Sequence, residues 1–129
     1  MEHRRQQGKV SPSLEDYLEA ILVLQQKHGA VRSVDVAEHL GFSKPSVSIA
    51  MRRLVDQGHV IFLEDSALSL TDSGRAIAVA VYERHRVLTG MLISMGVDPV
   101  IAEDDACRIE HVISPETFQR LKDRFPVQE

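Results

Sequence analysis

The feature that most constrains this chain is Leu40-Gly41-Phe42-Ser43-Lys44-Pro45, a helix stop followed at once by a helix start. A glycine just past an apolar-periodic run closes a helix, serine is a favoured N-cap, and proline is tolerated in the first turn. Upstream, Val36, Ala37 and Leu40 predict a short helix with Ser33 as its cap. Downstream, Val47, Met51, Leu54 and Val55 share one face of a second helix, with Gly58 just past its end. Two helices joined by so tight a turn make a helix-turn-helix. Val60-Ile61-Phe62-Leu63, the polar Glu64-Asp65-Ser66 and Leu68-Ser69-Leu70 then predict a short hairpin, the wing of a winged helix-turn-helix.

The other segments are helical. Ser13 can cap a helix carrying Tyr17, Leu18, Ile21, Leu22 and Leu24, which ends near His28-Gly29. Thr71 or Asp72 starts a long helix to about Met95, with Ile77, Val81, Leu88, Leu92 and Met95 as its stripe. Asp98-Pro99 starts another, expected to run to about Ile113. Ser114-Pro115-Glu116 starts the last, with Phe118, Leu121 and Phe125 inward and Pro126 closing it. Met1 to Val10 has no period and reads as a mobile arm. The expected fold is mainly α: a flexible arm over 1–11, a winged helix-turn-helix over 12–72 and a helical domain over 73–129.

Composition narrows the function classes. The 129 residues hold little more than one domain or two small lobes, which excludes a large multidomain enzyme. Aromatic residues are 5% with no Trp, too few for a base-stacking platform. One Cys makes no internal disulfide, no secretory leader pattern opens the chain, and no apolar run approaches 18 residues. A soluble protein of the cytoplasm, with no membrane partner, is therefore expected. The net charge of −4 is unevenly spread: residues 43–53 carry Lys44, Arg52 and Arg53 and no acid, whereas residues 98–116 carry six acids against Arg108 alone. Local fields, more than the sum, decide partners.

The acid-free stretch lies where a helix-turn-helix presents its second helix to the major groove. With Val47, Met51 and Leu54 pointing inward, Lys44, Pro45, Ser46, Ser48 and Arg52 form the exposed face toward double-stranded DNA, and Arg32 and Ser33 could clamp the backbone.

The acidic region carries a second pattern. Asp16 and Glu19 project from one face of the first helix. Cys107, Glu110 and His111, at i, i+3 and i+4, stack three donors on one face of the fifth, while Ala102, Ala106, Ile109 and Ile113 take the other into the core. His85 borders the apolar stripe of the long helix. Such N, O and S donors suit a divalent transition ion, and without a cation the clustered negative groups would be costly.

Glu15-Asp16-Tyr17-Leu18-Glu19, Ser43-Lys44-Pro45-Ser46-Val47-Ser48, Glu83-Arg84-His85-Arg86 and above all Asp105-Ala106-Cys107-Arg108-Ile109-Glu110-His111 resemble the diphtheria toxin repressor family, over about residues 12–125. The resemblance implies a metal-dependent transcriptional repressor of iron or manganese homeostasis, not an enzyme. It implies a winged helix-turn-helix joined to a helical dimerisation domain, with metal bound between them and operator DNA bound by a homodimer. Asp16, Glu19, His85, Glu110 and His111 match ligand positions of the short manganese branch, which stops after these two domains. Cys107 departs from that branch, which has Glu there, and matches the iron branch. The iron branch in turn has Glu where this chain has Thr89 and His where it has Glu103. The resulting hybrid set suits Fe(II) or Mn(II), with a lean to Fe(II) because a thiolate is a soft donor. The alternatives are a winged-helix regulator that senses oxidant or a small molecule through Cys107, and, less favoured, a metal hydrolase, for which no separate base stands out.

Overall fold

A computed structural model of the chain describes residues 12–127, so the arm expected over 1–11 falls outside the described residues. The chain divides into two compact units, one up to residue 79 and one from residue 80 on.

The first unit contains α1 (Pro12–His28), α2 (Ser33–Leu40), α3 (Lys44–Asp56), β1 (Val60–Phe62), β2 (Leu68–Leu70) and the first turns of α4, which spans Asp72–Ser94. The three leading helices pack on one another through Leu18, Ile21, Val36, Val47, Met51 and Leu54, all fully buried. Each such aliphatic side chain contributes about 1.5–3 kcal/mol by leaving water. The turn between α2 and α3 is built as its residues require. Gly41 takes φ 74, its amide and that of Phe42 both donate to the Ala37 carbonyl, and Ser43 Oγ accepts from the Ser46 amide at 3.3 Å. Two caps differ from expectation: Ser13 is the second residue of α1, and Ser33 is the first residue of α2, where Arg32 is the N-cap. The Arg32 amide donates to Asp35 Oδ2 at 2.9 Å, so a carboxylate from inside the helix satisfies the amide of the N-cap residue.

The wing pairs antiparallel, Val60 with Leu70 and Phe62 with Leu68, and an isolated bridge joins Leu68 to Val31. Its return into α4 is closely fitted. Thr71 Oγ1 donates to the Gly58 carbonyl at 2.7 Å and accepts from the Gly74 amide, while His59 Nδ1 and Ser73 Oγ lie 2.9 Å apart. The His59 carbonyl lies where a β-carbon on Gly74 would stand.

The second unit contains the rest of α4, α5 (Pro99–Ile109) and α6 (Pro115–Arg124). Asp98 and Ser114 cap α5 and α6 by accepting from the amides of Val100 and Thr117, each with proline in the first turn, as expected. The small Ala102 and Ala106 are fully buried, with Val87, Leu88 and Phe118 as the larger core residues. Two expectations are corrected. Met95 lies just past α4 and is 61% exposed, so it is not on the buried stripe. The fifth helix stops at Ile109, not near Ile113: residues 110–112 form a turn, because Ser114 must be extended (φ −76, ψ 160) to cap α6.

Candidate metal centre and nucleic-acid interface

The turn that ends α5 concentrates the donors of the second unit. Cys107 is on the last turn of α5, Glu110 is the C-cap with its amide bonded to the Ala106 carbonyl, and His111 follows in the turn. Each offers a ligand atom within 4.8 Å of the others. From α4, His85 brings Nδ1 to 3.1 Å from Glu110 Oε1, while His111 Nε2 lies 3.5 Å from Glu110 Oε2. Glu110 is 1% exposed, the one buried charged residue among those described. Taking a carboxylate out of water is expensive unless cationic or hydrogen-bonding groups meet it. Here an imidazole faces each oxygen and a thiol lies beside them, a donor set that fits a borderline divalent transition ion. Of the other expected ligands, Asp16 and Glu19 stand one turn apart on α1 of the first unit, both part-buried.

Sequence reasoning gave Arg84 no role, although it lies within Glu83-Arg84-His85-Arg86. Its Nη1 donates to the Glu110 carbonyl at 3.1 Å and its guanidinium lies 5.6 Å from the Phe118 ring centroid. It thereby ties α4, the donor turn and α6 together, and Lys122 and Glu83 add an ion pair at 2.6 Å. Arg108 belongs to the opposite, exposed face. Asp105, by a 2.8 Å hydrogen bond, and Asp104 hold its guanidinium still further above its already high range.

In the first unit, Lys44, Pro45, Ser46, Ser48, Arg52 and Arg53 are all exposed on α3, and its first turn has no acid. Ser46 Oγ accepts from Ser43 Oγ at 2.9 Å, so this hydroxyl helps close the N-terminus of α3. Arg32 is engaged within the unit: Nη2 and Nε donate to the Asp65 carbonyl at 3.1 and 3.3 Å, and Nη2 is 3.6 Å from its carboxylate. This links the start of α2 to the wing turn. Ser33 is part-buried beside it.

The chain thus combines a winged helix-turn-helix unit with a helical unit in which N, O and S donors gather around a buried carboxylate, a pairing that fits the class of metal-responsive DNA-binding regulators. The chain belongs to the iron-dependent repressor family. The family model described as "Iron dependent repressor, N-terminal DNA binding domain" matches residues 9–68, and "Iron dependent repressor, metal binding and dimerisation domain" matches residues 71–125. The transcriptional regulator MntR of Escherichia coli O157:H7 is 35% identical over 109 residues, 84% of this chain and 70% of its own length. The diphtheria toxin repressor of Corynebacterium diphtheriae is 36% identical over 108 residues, 83% of this chain and 48% of its own. These relatives are transcription regulators, not enzymes. A manganese-dependent transcriptional repressor in complex with manganese superposes with a TM-score of 0.79 at 32% identity, covering 87% of this chain and 52% of its own. IdeR of T. acidophilum gives 0.75 at 29%, covering 88% and 54%. The chain thus spans about half the length of these solved structures. No helix among the described residues is long and apolar enough to cross a membrane.

Proposed function

We propose that the chain is a divalent-metal-dependent transcriptional repressor that acts in the cytoplasm and binds operator DNA as a homodimer. The observation that carries this reading is the buried Glu110 between His85, His111 and Cys107, in a chain whose other unit is a winged helix-turn-helix with an acid-free exposed face. His85, Cys107, Glu110 and His111 would hold the metal together with Asp16 and Glu19 of the first unit. A bound cation supplies charge neutralisation among these carboxylates. If metal favours the DNA-competent state, metal affinity and DNA affinity are interdependent, and each must tighten the other. Paired recognition helices then meet successive major grooves, about 34 Å apart on one face of the duplex.

Exposed apolar side chains in the second unit support the homodimer: Ile93 is 43%, Val100 77% and Ile101 55% exposed around the α4–α5 connection. Val100→Glu should convert the dimer to monomer in sedimentation velocity while leaving helical content unchanged. An unaltered dimer would move the seam elsewhere.

On the DNA side, Arg52→Ala should weaken binding to all duplexes alike and reduce the salt slope by about one, as for one lost phosphate contact. Metal affinity without DNA should stay unchanged. A parent-like slope would mean that α3 docks with another face.

The ion preference rests on Cys107, whose sulfur favours Fe(II) over Mn(II). Cys107→Glu exchanges a soft donor for a hard one and should shift activation of DNA binding toward Mn(II). With Co(II), the parent should show a near-ultraviolet thiolate charge-transfer band that the variant lacks. The absence of this band in the parent would remove Cys107 from the ligand set and the preference for iron with it.

A further inference from the structure

We propose that Ile49 reads operator sequence through apolar contact with the C5 methyl group of thymine in the major groove. The inference rests on the DNA-binding reading above and concerns a residue that neither the basic-patch argument nor the metal site uses.

Ile49 is 59% exposed in the first half of α3. Val47, Ala50, Met51 and Leu54 define the buried face of that helix. At 100° per residue, Pro45, Ile49 and Arg52 fall on the opposite ridge. The centre of the outward face is therefore partly apolar, flanked by the exposed Ser48 and Arg53. Local structure gives no reason for isoleucine there. A β-branched residue is a poorer helix former than alanine or lysine, and the outward side chain adds nothing to the core.

The surroundings specify the occupant. Between Glu38 and Asp56 the chain has no acid, while Lys44, Arg52 and Arg53 are exposed on α3, so the face is complementary to a polyanion. Residues in the first half of a recognition helix are the ones that reach base edges. Isoleucine has no side-chain donor or acceptor with which to read the hydrogen-bonding pattern of a base pair. The apolar group that a base offers in the major groove is the thymine methyl, so an exposed isoleucine at this position discriminates for thymine.

The test uses the full chain loaded with Mn(II) and the tightest-binding duplex recovered from a random-sequence pool. Each thymine of a half-site is replaced in turn by deoxyuridine, which keeps every hydrogen-bonding group and removes only the methyl. At one thymine per half-site the parent should bind the deoxyuridine duplex about four-fold more weakly, the effect of one buried methyl. Ile49→Ala should bind both duplexes equally, Ile49→Val should retain discrimination, and the salt slope should be the same in all three proteins. Indifference of the parent to every replacement, or equal discrimination by Ile49→Ala, would overturn the proposal. Absence of salt-sensitive duplex binding in the parent, with or without metal, would overturn the DNA-binding reading as well.

Discussion

Replacing Glu110 with Gln should abolish metal-activated DNA binding and weaken metal affinity at least about 100-fold, beyond the upper end of what loss of a supporting residue around a metal costs. The amide keeps the shape of the carboxylate but not its charge. The position is the most buried of the donors, and both its oxygens face imidazoles. Thermal unfolding separates a lost ligand from a lost fold. In chelator, parent and variant should melt within a few degrees of one another. Metal at 100 times its dissociation constant should stabilise the parent by about 2.7 kcal/mol and the variant hardly at all. A variant that melts far lower in chelator would assign Glu110 to the core instead.

The second large effect is on stability. Gly74→Ala places a methyl group against the His59 carbonyl, where neither partner is a flexible side chain. The backbone around Gly74 is pinned by Thr71 Oγ1, which also holds Gly58, so the strain cannot relax by a rotamer change. A destabilisation of about 3 kcal/mol is expected, at the upper end for overpacking. At about 2–8 °C per kcal/mol, this lowers the melting temperature by roughly 6–24 °C, with larger shifts for smaller cooperative units. Ala at the neighbouring exposed Arg75 should leave it nearly unchanged. A parent-like melting curve for Gly74→Ala would show that the junction between the wing and α4 is loose.

Much of this architecture is legible in local chemistry. Ser43, Asp98 and Ser114 announce their helices because a capping side chain followed by proline solves the problem of unpaired amides within a few residues. Gly41 marks the tight turn for a similarly local reason, its positive φ. Long-range pairings are illegible. Nothing near Arg32 in sequence announces that its guanidinium will be spent on Asp65, thirty-three residues away. Ile109 and Ile113 continue a helical period past the true end of α5, whereas the extended backbone that Ser114 needs forces the chain out of the helix earlier. That early stop leaves Glu110 at the helix end and His111 in the turn beyond it. The donor types were readable from Cys107-x-x-Glu110-His111, but the brace that Arg84 gives their turn was not, because its guanidinium reaches across from α4.

An anaerobic titration tests most directly whether metal controls DNA binding. Chelator-stripped protein is mixed with a labelled duplex recovered from a random-sequence pool, and Fe(II), Mn(II), Co(II) or Zn(II) is added while fluorescence anisotropy is followed. Binding should be weak in chelator and rise with each activating ion. It should be half-maximal at lower free Fe(II) than Mn(II), and be reversed by chelator. Equal binding in chelator and in metal would contradict the account, and peroxide-reversible binding in chelator would transfer control to the Cys107 thiol.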